Sequence, residues 1–490
     1  MPVVVVVVVA VMRGDGGGLK GARGRQGRGA AVAGRWRRVA VILLALAYAA
    51  SMLVVFLGGG AGGVAVAGAG AGALRQRGAP APAGSVYRSH LVLDRLLPEL
   101  RASSASRPHP LMTPQNKKSG KRWAPCITKK LRRSELPPSN GFLIIEANGG
   151  LNQQRISICD AVAVASLLNA TLVTPAFHLN SVWRDSSKFG DIFDEDHFIG
   201  SLRKYIRVVK ELPEDAFVNF DHNISMIPNM RTKAFSSESY YLQKVLPKLL
   251  ELGAVRIAPF SNRLAHSVPP NIQALRCFAN YEALRFSEPI RMLGTNMVDR
   301  MIKMSSLTGG KYISVHLRFE EFMQVGMMLQ GMGFGNTTSL YVASGKIYNA
   351  EKYMTPLRQL FPLLQTKDTL ASPEELAQFK GHSSRLAALD YTVCLQSEEF
   401  VTTQGSNFPH FLMGHRRYLY GGNAKTIKPD KRKLVALFDN PNIRWDRFKR
   451  QMQDIHRHSE SKGFGVRKPN GSISIYTLPM PDCMCQRAEP

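Results

Sequence analysis

Apolar residues fall in short runs along most of the chain, and the runs alternate in kind. Phe142 to Ala147 is mainly apolar and of strand length, Ile156 to Leu168 is longer and rich in small residues, and Thr171 to Ala176 is short again. Strand, helix, strand in that order predicts a β-α-β unit within a parallel sheet covered by helices. A second series begins at Tyr312 to Leu317 and continues with Ser339 to Ala343, a helix over Arg385 to Gln396 and a strand over Phe400 to Thr403. Two series predict an α/β protein with two doubly wound Rossmann-type domains, 141–300 and 301–465. The boundary is set near 290–310, where a helix-like run ends at Gly309-Gly310. Ligands of such sheets bind outside the carboxyl ends of the strands, so residues just past those ends are the ones to weigh.

The pattern before residue 141 is different. Val39 to Leu57 is uncharged and apolar over 19 residues, near the ~20 a helix needs to span the hydrocarbon core. Arg35, Arg37 and Arg38 abut it, with Arg13, Lys20, Arg23, Arg25 and Arg28 upstream. The positive-inside rule then predicts a cytoplasmic tail over 1–38, a transmembrane anchor over 39–57 and a lumenal remainder. A cleaved signal peptide is the alternative, with Ala65-Val66-Ala67 or Ala67-Gly68-Ala69 as its site, although the run exceeds an ordinary signal core. Residues 58–140 are Gly/Ala-rich and then rich in Pro, Ser and basic residues, and they predict a disordered stem. Residues 466–490 are expected to be a tail.

Charge bears on this division. The net charge is +28, but Met1 to Glu135 holds 22 of the 64 basic residues and 4 of the 36 acidic ones, which concentrates +18 there and leaves +10. A basic flank beside an apolar segment is explained by membrane orientation, so no nucleic-acid partner is expected. Six cysteines (Cys126, Cys159, Cys277, Cys394, Cys483, Cys485) suit a lumen but allow 15 pairings. Cys483-Met484-Cys485 reads as a disulfide partner or an inert tail. Four glycosylation sequons, at Asn169, Asn223, Asn336 and Asn470, agree with a secretory route, and Asn169 sits between a helix and a strand, where it can be buried.

The candidate chemistry lies at strand ends. Asn148-Gly149-Gly150 joins a strand to a helix, and its glycines permit positive φ and close approach of a ligand to a helix N-terminus. A tight turn without ligand is the competing reading. Asn152 follows, either as a group orienting a hydroxyl or phosphate oxygen or as a helix cap. His316 and Arg318 alternate with Val315 and Leu317 and project from one face of a strand end. Arg318 can grip a phosphate bidentately or pair with Glu320 or Glu321. Thr402, Thr403, Ser406 and Asn407 form a polar loop suited to a phosphate, or an ordinary capped loop. Asp390, Glu398 and Glu399 are candidates to hold a base or structural arginines, Arg416 and Arg417 to form a solvated helix face, and Met327, Met328 and Met332 to fill a core. No metal is expected, since the Arg318 guanidinium can stabilise phosphate charge as a metal ion does elsewhere.

Four motifs in order carry a resemblance. Gly149 to Arg155, Asn169-Ala170-Thr171-Leu172-Val173-Thr174-Pro175, His316-Leu317-Arg318-Phe319-Glu320 and Gly414-His415-Arg416-Arg417-Tyr418 resemble the plant O-fucosyltransferase family from about Gly141 to about Asp430. The resemblance implies a Golgi type II, single-pass glycosyltransferase of GT-B fold, its two domains facing a cleft. It also implies inverting transfer of fucose from GDP-fucose to a hydroxyl of a glycan or protein, without metal or other cofactor. Gly149, Gly150, His316, Arg318, Thr402, Thr403, Ser406 and Asn407 would bind the donor, and Arg318 and Asn152 would serve catalysis. A rhamnosyltransferase acting on pectin and an inactive lumenal scaffold are the alternatives. The chain departs from the family after Glu321, where a few dozen residues are missing and Phe322 runs straight toward Val325.

Overall fold

The computed structural model describes residues 95–100, 123–127, 134–179, 185–317, 322–347, 349–402, 406–421, 424–440, 442–461 and 474–486. The expected anchor, Val39–Leu57, lies outside the described residues. Among those described, no helix is long and apolar enough to cross a membrane.

After a short strand β1 (Trp123–Pro125), the first sheet is built on β2 (Phe142–Ala147). Leu143, Ile144 and Ile145 are all buried, because helices cover both faces of an interior parallel strand. The chain continues through α1 (Leu151–Leu168), β3 (Thr171–Val173), β4 (Ala176–Phe177), β5 (Val208–Val209) and β6 (Ala254–Ile257). All pair in parallel in the order β6-β2-β3-β5, with β4 beside the end of β2. The strand expected over Thr171 to Ala176 is broken in two at Thr174-Pro175, since proline has no N–H for the ladder. Helix α1 starts at Leu151, five residues earlier than expected, so Asn152 and Arg155 are helical.

Helices α2 (Pro270–Phe278) and α3 (Glu288–Met304) lead to the second sheet. It contains β7 (Tyr312–His316), α4 (Phe322–Met332), β8 (Ser339–Ala343), α5 (Ala350–Leu360), β9 (Leu364–Gln365), α6 (Ser383–Gln396), β10 (Glu399–Thr402), α7 (Asn407–Leu419) and β11 (Lys425–Ile427), and α8 (Trp445–Ser461) follows. The sheet is wholly parallel in the order β11-β10-β7-β8-β9. Numbered within the lobe, this is 3-2-1-4-5, a doubly wound arrangement. Alternation along β7 divides the core. Ile313 and Val315 face Val325, Met328, Met354, Phe448 and Met452, while Tyr312 joins a core shared with the first lobe. Met327, Met328 and Met332 are core-filling, as expected.

Two expectations are corrected. Part of the predicted stem is folded: residues 95–100 are helical, Leu96 and Leu100 are buried in the second core, and Glu99 accepts a hydrogen bond from the Trp445 N–H. Averaged composition hides the helical spacing of Leu96 and Leu100. The predicted tail is folded too. Residues 474–486 form a strap ending in β12 (Met484–Gln486), which pairs antiparallel with β1. The disulfides Cys126–Cys485 and Cys277–Cys483 staple it down, and Cys159 and Cys394 remain free and buried.

Candidate functional site

In a sheet of this order the crevice opens where strand order reverses, between β7 and β10. The register brings their ends level, with Thr402 opposite His316. The next helix after β10 is α7, whose first turn holds no acidic residue. Its free N–H groups and partial positive charge therefore face a strand end without local competition. Ser406 is the residue before the helix, in extended conformation, and its hydroxyl does not cap it; the ordinary capped-loop reading fails there. The His316 ring stacks on Phe408 of the first turn of α7, 4.8 Å between centroids and 19° between planes. Thus His316, Thr402, Ser406 and Asn407 are brought to one end of the sheet. Arg318 and Thr403 lie outside the described residues.

The first lobe has its own switch point, between β2 and β6, and the glycine turn sits there. Gly149 takes φ +89°, and a Cβ added to it would lie 3.0 Å from Cβ of Gln153, so glycine is required. Gly150 does not share this conformation: at φ −82° and ψ 177° it is the N-cap of α1. Asn152 is therefore not the cap. It lies one residue into α1, nearly fully buried, with Oδ1 accepting no hydrogen bond. A buried amide oxygen left unpaired is costly in a finished structure and suits a group awaiting a donor, such as an acceptor hydroxyl.

The flanking ionisable groups are mostly engaged. Asp390 is held by Lys367 Nζ at 2.9 Å and the Tyr341 hydroxyl at 2.7 Å, so a lysine and a tyrosine, rather than a structural arginine, engage it. Glu399 pairs with His456 at 2.8 Å and Lys425 at 3.5 Å, whereas Glu398 Oε1 is buried without a hydrogen bond. The solvated face expected of Arg416 and Arg417 is overturned. Arg416 is 1% exposed and donates to the carbonyls of Cys394, Leu395, Ser397, Glu398 and Lys425, while Arg417 Nη1 donates to Thr477 O at 2.8 Å. Asp160, deep in α1, forms an ion pair with Arg276 at 2.5 Å. Among the described residues, no three His, Cys, Asp or Glu side chains are grouped to hold a metal ion.

Sequence reasoning missed Arg155, although it stands inside the first motif. Its Nη2 donates to the backbone oxygen of Asn280 at 2.9 Å and to Oδ1 of the same residue at 3.1 Å, and its guanidinium lies 5.0 Å from the Tyr391 ring centre. It thereby ties α1 to α6 of the other lobe.

Two doubly wound sheets with loop-and-helix turns at their switch points define an α/β protein of nucleotide-binding architecture. Comparison with known proteins narrows the class. The model of the family "GDP-fucose protein O-fucosyltransferase" matches residues 142–419. O-fucosyltransferase 9 of Arabidopsis thaliana is 59% identical over 461 residues, covering 83% of this chain and 81% of that protein. Protein ESMERALDA 1 of the same plant is 50% identical, covering 83% and 80%. A crystal structure of POFUT1 in complex with GDP aligns at TM-score 0.37 and 14% identity, over 59% of this chain and 99% of that one, too distant a likeness to define a site. The chain belongs to the GDP-fucose protein O-fucosyltransferase family. It is a glycosyltransferase, and its reaction is fucosyl transfer from GDP-fucose.

Proposed function

We propose that the donor diphosphate binds between β7 and β10 and that fucose passes, with inversion, to a hydroxyl of a glycan or protein held on the first-lobe side. The observation that carries this is the pairing of His316 with Thr402 at the strand-order reversal, with the N-terminus of α7 beside it. Charge develops on the departing β-phosphate as the sugar acquires oxocarbenium character. The α7 N-terminus and Arg318, which follows β7 by two residues, stabilise that charge without a metal. Asn152 is too weak a base to drive the reaction and instead orients the acceptor hydroxyl through its unpaired Oδ1. The basic flank and apolar segment at Val39 to Leu57 support a Golgi membrane anchor with the catalytic lobes in the lumen.

We also propose that this chain is a shortened form. The match to O-fucosyltransferase 9 runs over 461 residues but takes in only 83% of the 490 here, which leaves about fifty positions without a counterpart. Helix α4 lies between the paired parallel strands β7 and β8 along the chain, so the loss falls on substrate grip rather than on the fold.

The test is a donor panel with purified protein. With the family segment inserted after Glu321, GDP-fucose should be turned over in excess EDTA, and Arg318→Ala should lower that rate by ~10² to 10³. Preference for UDP-rhamnose would favour rhamnosyl transfer. Donor binding with no turnover, restored by inserting the family segment after Glu321, would support the shortened form. Absence of both donor binding and turnover would favour a scaffold, and unchanged turnover in Arg318→Ala would remove that residue from the site.

A further inference from the structure

Arg155 is a buried cation that forms no ion pair among the described residues. Its charge is met by the amide oxygens of Asn280, by a hydrogen bond with the Tyr391 side chain and by the rings of Tyr391, Phe411 and Phe286, whose centres lie at 5.0, 5.8 and 6.0 Å. Nε has no hydrogen-bond partner. An apolar side chain of similar volume would fill this space without the cost of burying a charge, so packing alone does not explain an arginine.

Its neighbours suggest what does. Arg155 lies one helical turn beyond Asn152, on the same side of α1. The Tyr391 ring beneath its guanidinium meets Phe408 edge-on at 5.9 Å, and Phe408 stacks on His316 at the donor crevice. Tyr391 is fixed in turn, its hydroxyl 3.0 Å from His415 Nδ1. Burial, then the Arg155 charge, push that imidazole down to about 3, so it stays neutral and adds no second charge. Arg155, Tyr391, Phe408 and His316 form an unbroken line of contacts from the glycine turn in one lobe to the strand end in the other.

We propose that Arg155 is a positioning residue that couples occupancy of the donor crevice to the geometry of the glycine turn and Asn152. A nucleoside diphosphate seated between His316 and Thr402 restrains Phe408 and the Tyr391 ring. That ring holds the guanidinium, and with it the first turn of α1. The acceptor side is thereby ordered after the donor is in place. This inference rests on the donor-site reading above.

The experiment is hydrogen–deuterium exchange of the full chain, with and without saturating GDP, read at the peptide 148–160. In the wild type, GDP should slow exchange there by about threefold or more. Arg155→Met should still bind GDP by calorimetry yet lose the slowing. Phe408→Leu leaves the Arg155 contacts intact, and should also lose it while exchange without GDP stays at the wild-type level. A merely structural role for Arg155 would leave the GDP effect intact in Phe408→Leu. If Arg155→Met does not fold, Arg155→Lys takes its place with the same expectation, because an ammonium lacks the planar face. Slowing retained in either variant, or absent from a wild type that binds GDP, overturns the coupling. A wild type that does not bind GDP overturns the donor-site reading, and the coupling with it.

Discussion

Asp185 belongs to the first lobe, yet it holds the N-terminus of a helix in the second. Its Oδ2 accepts the Ser384 N–H at 2.6 Å, in the first turn of α6, while its Oδ1 accepts the Ser187 N–H at 2.9 Å. Burial alone would raise this carboxyl, but the hydrogen bonds from Ser187 and Ser384 outweigh it and bring the pKa from 3.8 to about 2. Holding a buried carboxylate that far below its unfolded value contributes about 2 kcal/mol at neutral pH. The sign follows from the direction of the shift. The contribution is complete above about pH 4, where the unfolded chain is also ionised, and is lost as pH falls toward 2. Asp185→Asn keeps the shape and removes the charge, so it should unfold at lower urea than the wild type at pH 7, by about 2 kcal/mol. The gap should close between pH 4 and pH 2. Unfolding monitored at both ends of that window checks this, and the difference between the two proteins cancels the titration of other carboxylates. A gap that stays constant through the window would refute the reasoning and reduce Asp185 to a neutral hydrogen-bond acceptor.

Arg416→Met should cost about 3 kcal/mol or more, because it orphans buried carbonyls at the end of α6 and the starts of β10 and β11; an unchanged urea midpoint would show that water replaces the guanidinium. In a secreted preparation, peptide mapping should find glycan at exposed Asn336 and Asn223 but not at Asn169. The Asn169 side-chain nitrogen already donates to Pro138 O at 2.7 Å from a left-handed cap, so an occupied Asn169 would contradict the packing around it.

The parallel strands were legible because interior strands of this kind are apolar on both faces, so β2, β7 and β10 stand out within a residue or so of their bounds. The strand ends of the candidate site followed from them: His316 and Thr402 were paired by topology, which order along the chain and motif position foreshadow. What escaped was decided by partners far away in sequence. Whether an arginine is solvated or buried depends on what folds over it. Arg416 needed the carbonyls of three separate elements, and Arg155 the aromatic rings of the opposite lobe. Residues 474–486 are interrupted by Pro479 and Pro481 and show no helix or strand period, and their place is set by cysteines at 126 and 277.

The same long-range contacts bear on how the two lobes work together. The strap crosses between them: Ile475 O accepts from the Tyr281 hydroxyl, Thr477 O from Arg417, and Tyr476 stacks on Phe411 at 4.6 Å while its hydroxyl reaches Asp160. Its approach to α7 is so close that a Cβ on Gly414 would fall 2.0 Å from Tyr476 O, a backbone atom that a rotamer change cannot move aside. Asp185 on α6, the Arg385–Asp191 pair at 2.9 Å and Arg155 on Tyr391 add three further ties. Wide hinge opening would have to break contacts at all four places, three of them between buried groups and each of those worth on the order of 1 kcal/mol or more. Small repacking of side chains along the contact line costs far less. Donor occupancy is therefore better conveyed to the acceptor side through the Phe408 and Tyr391 rings than by closure of one lobe upon the other.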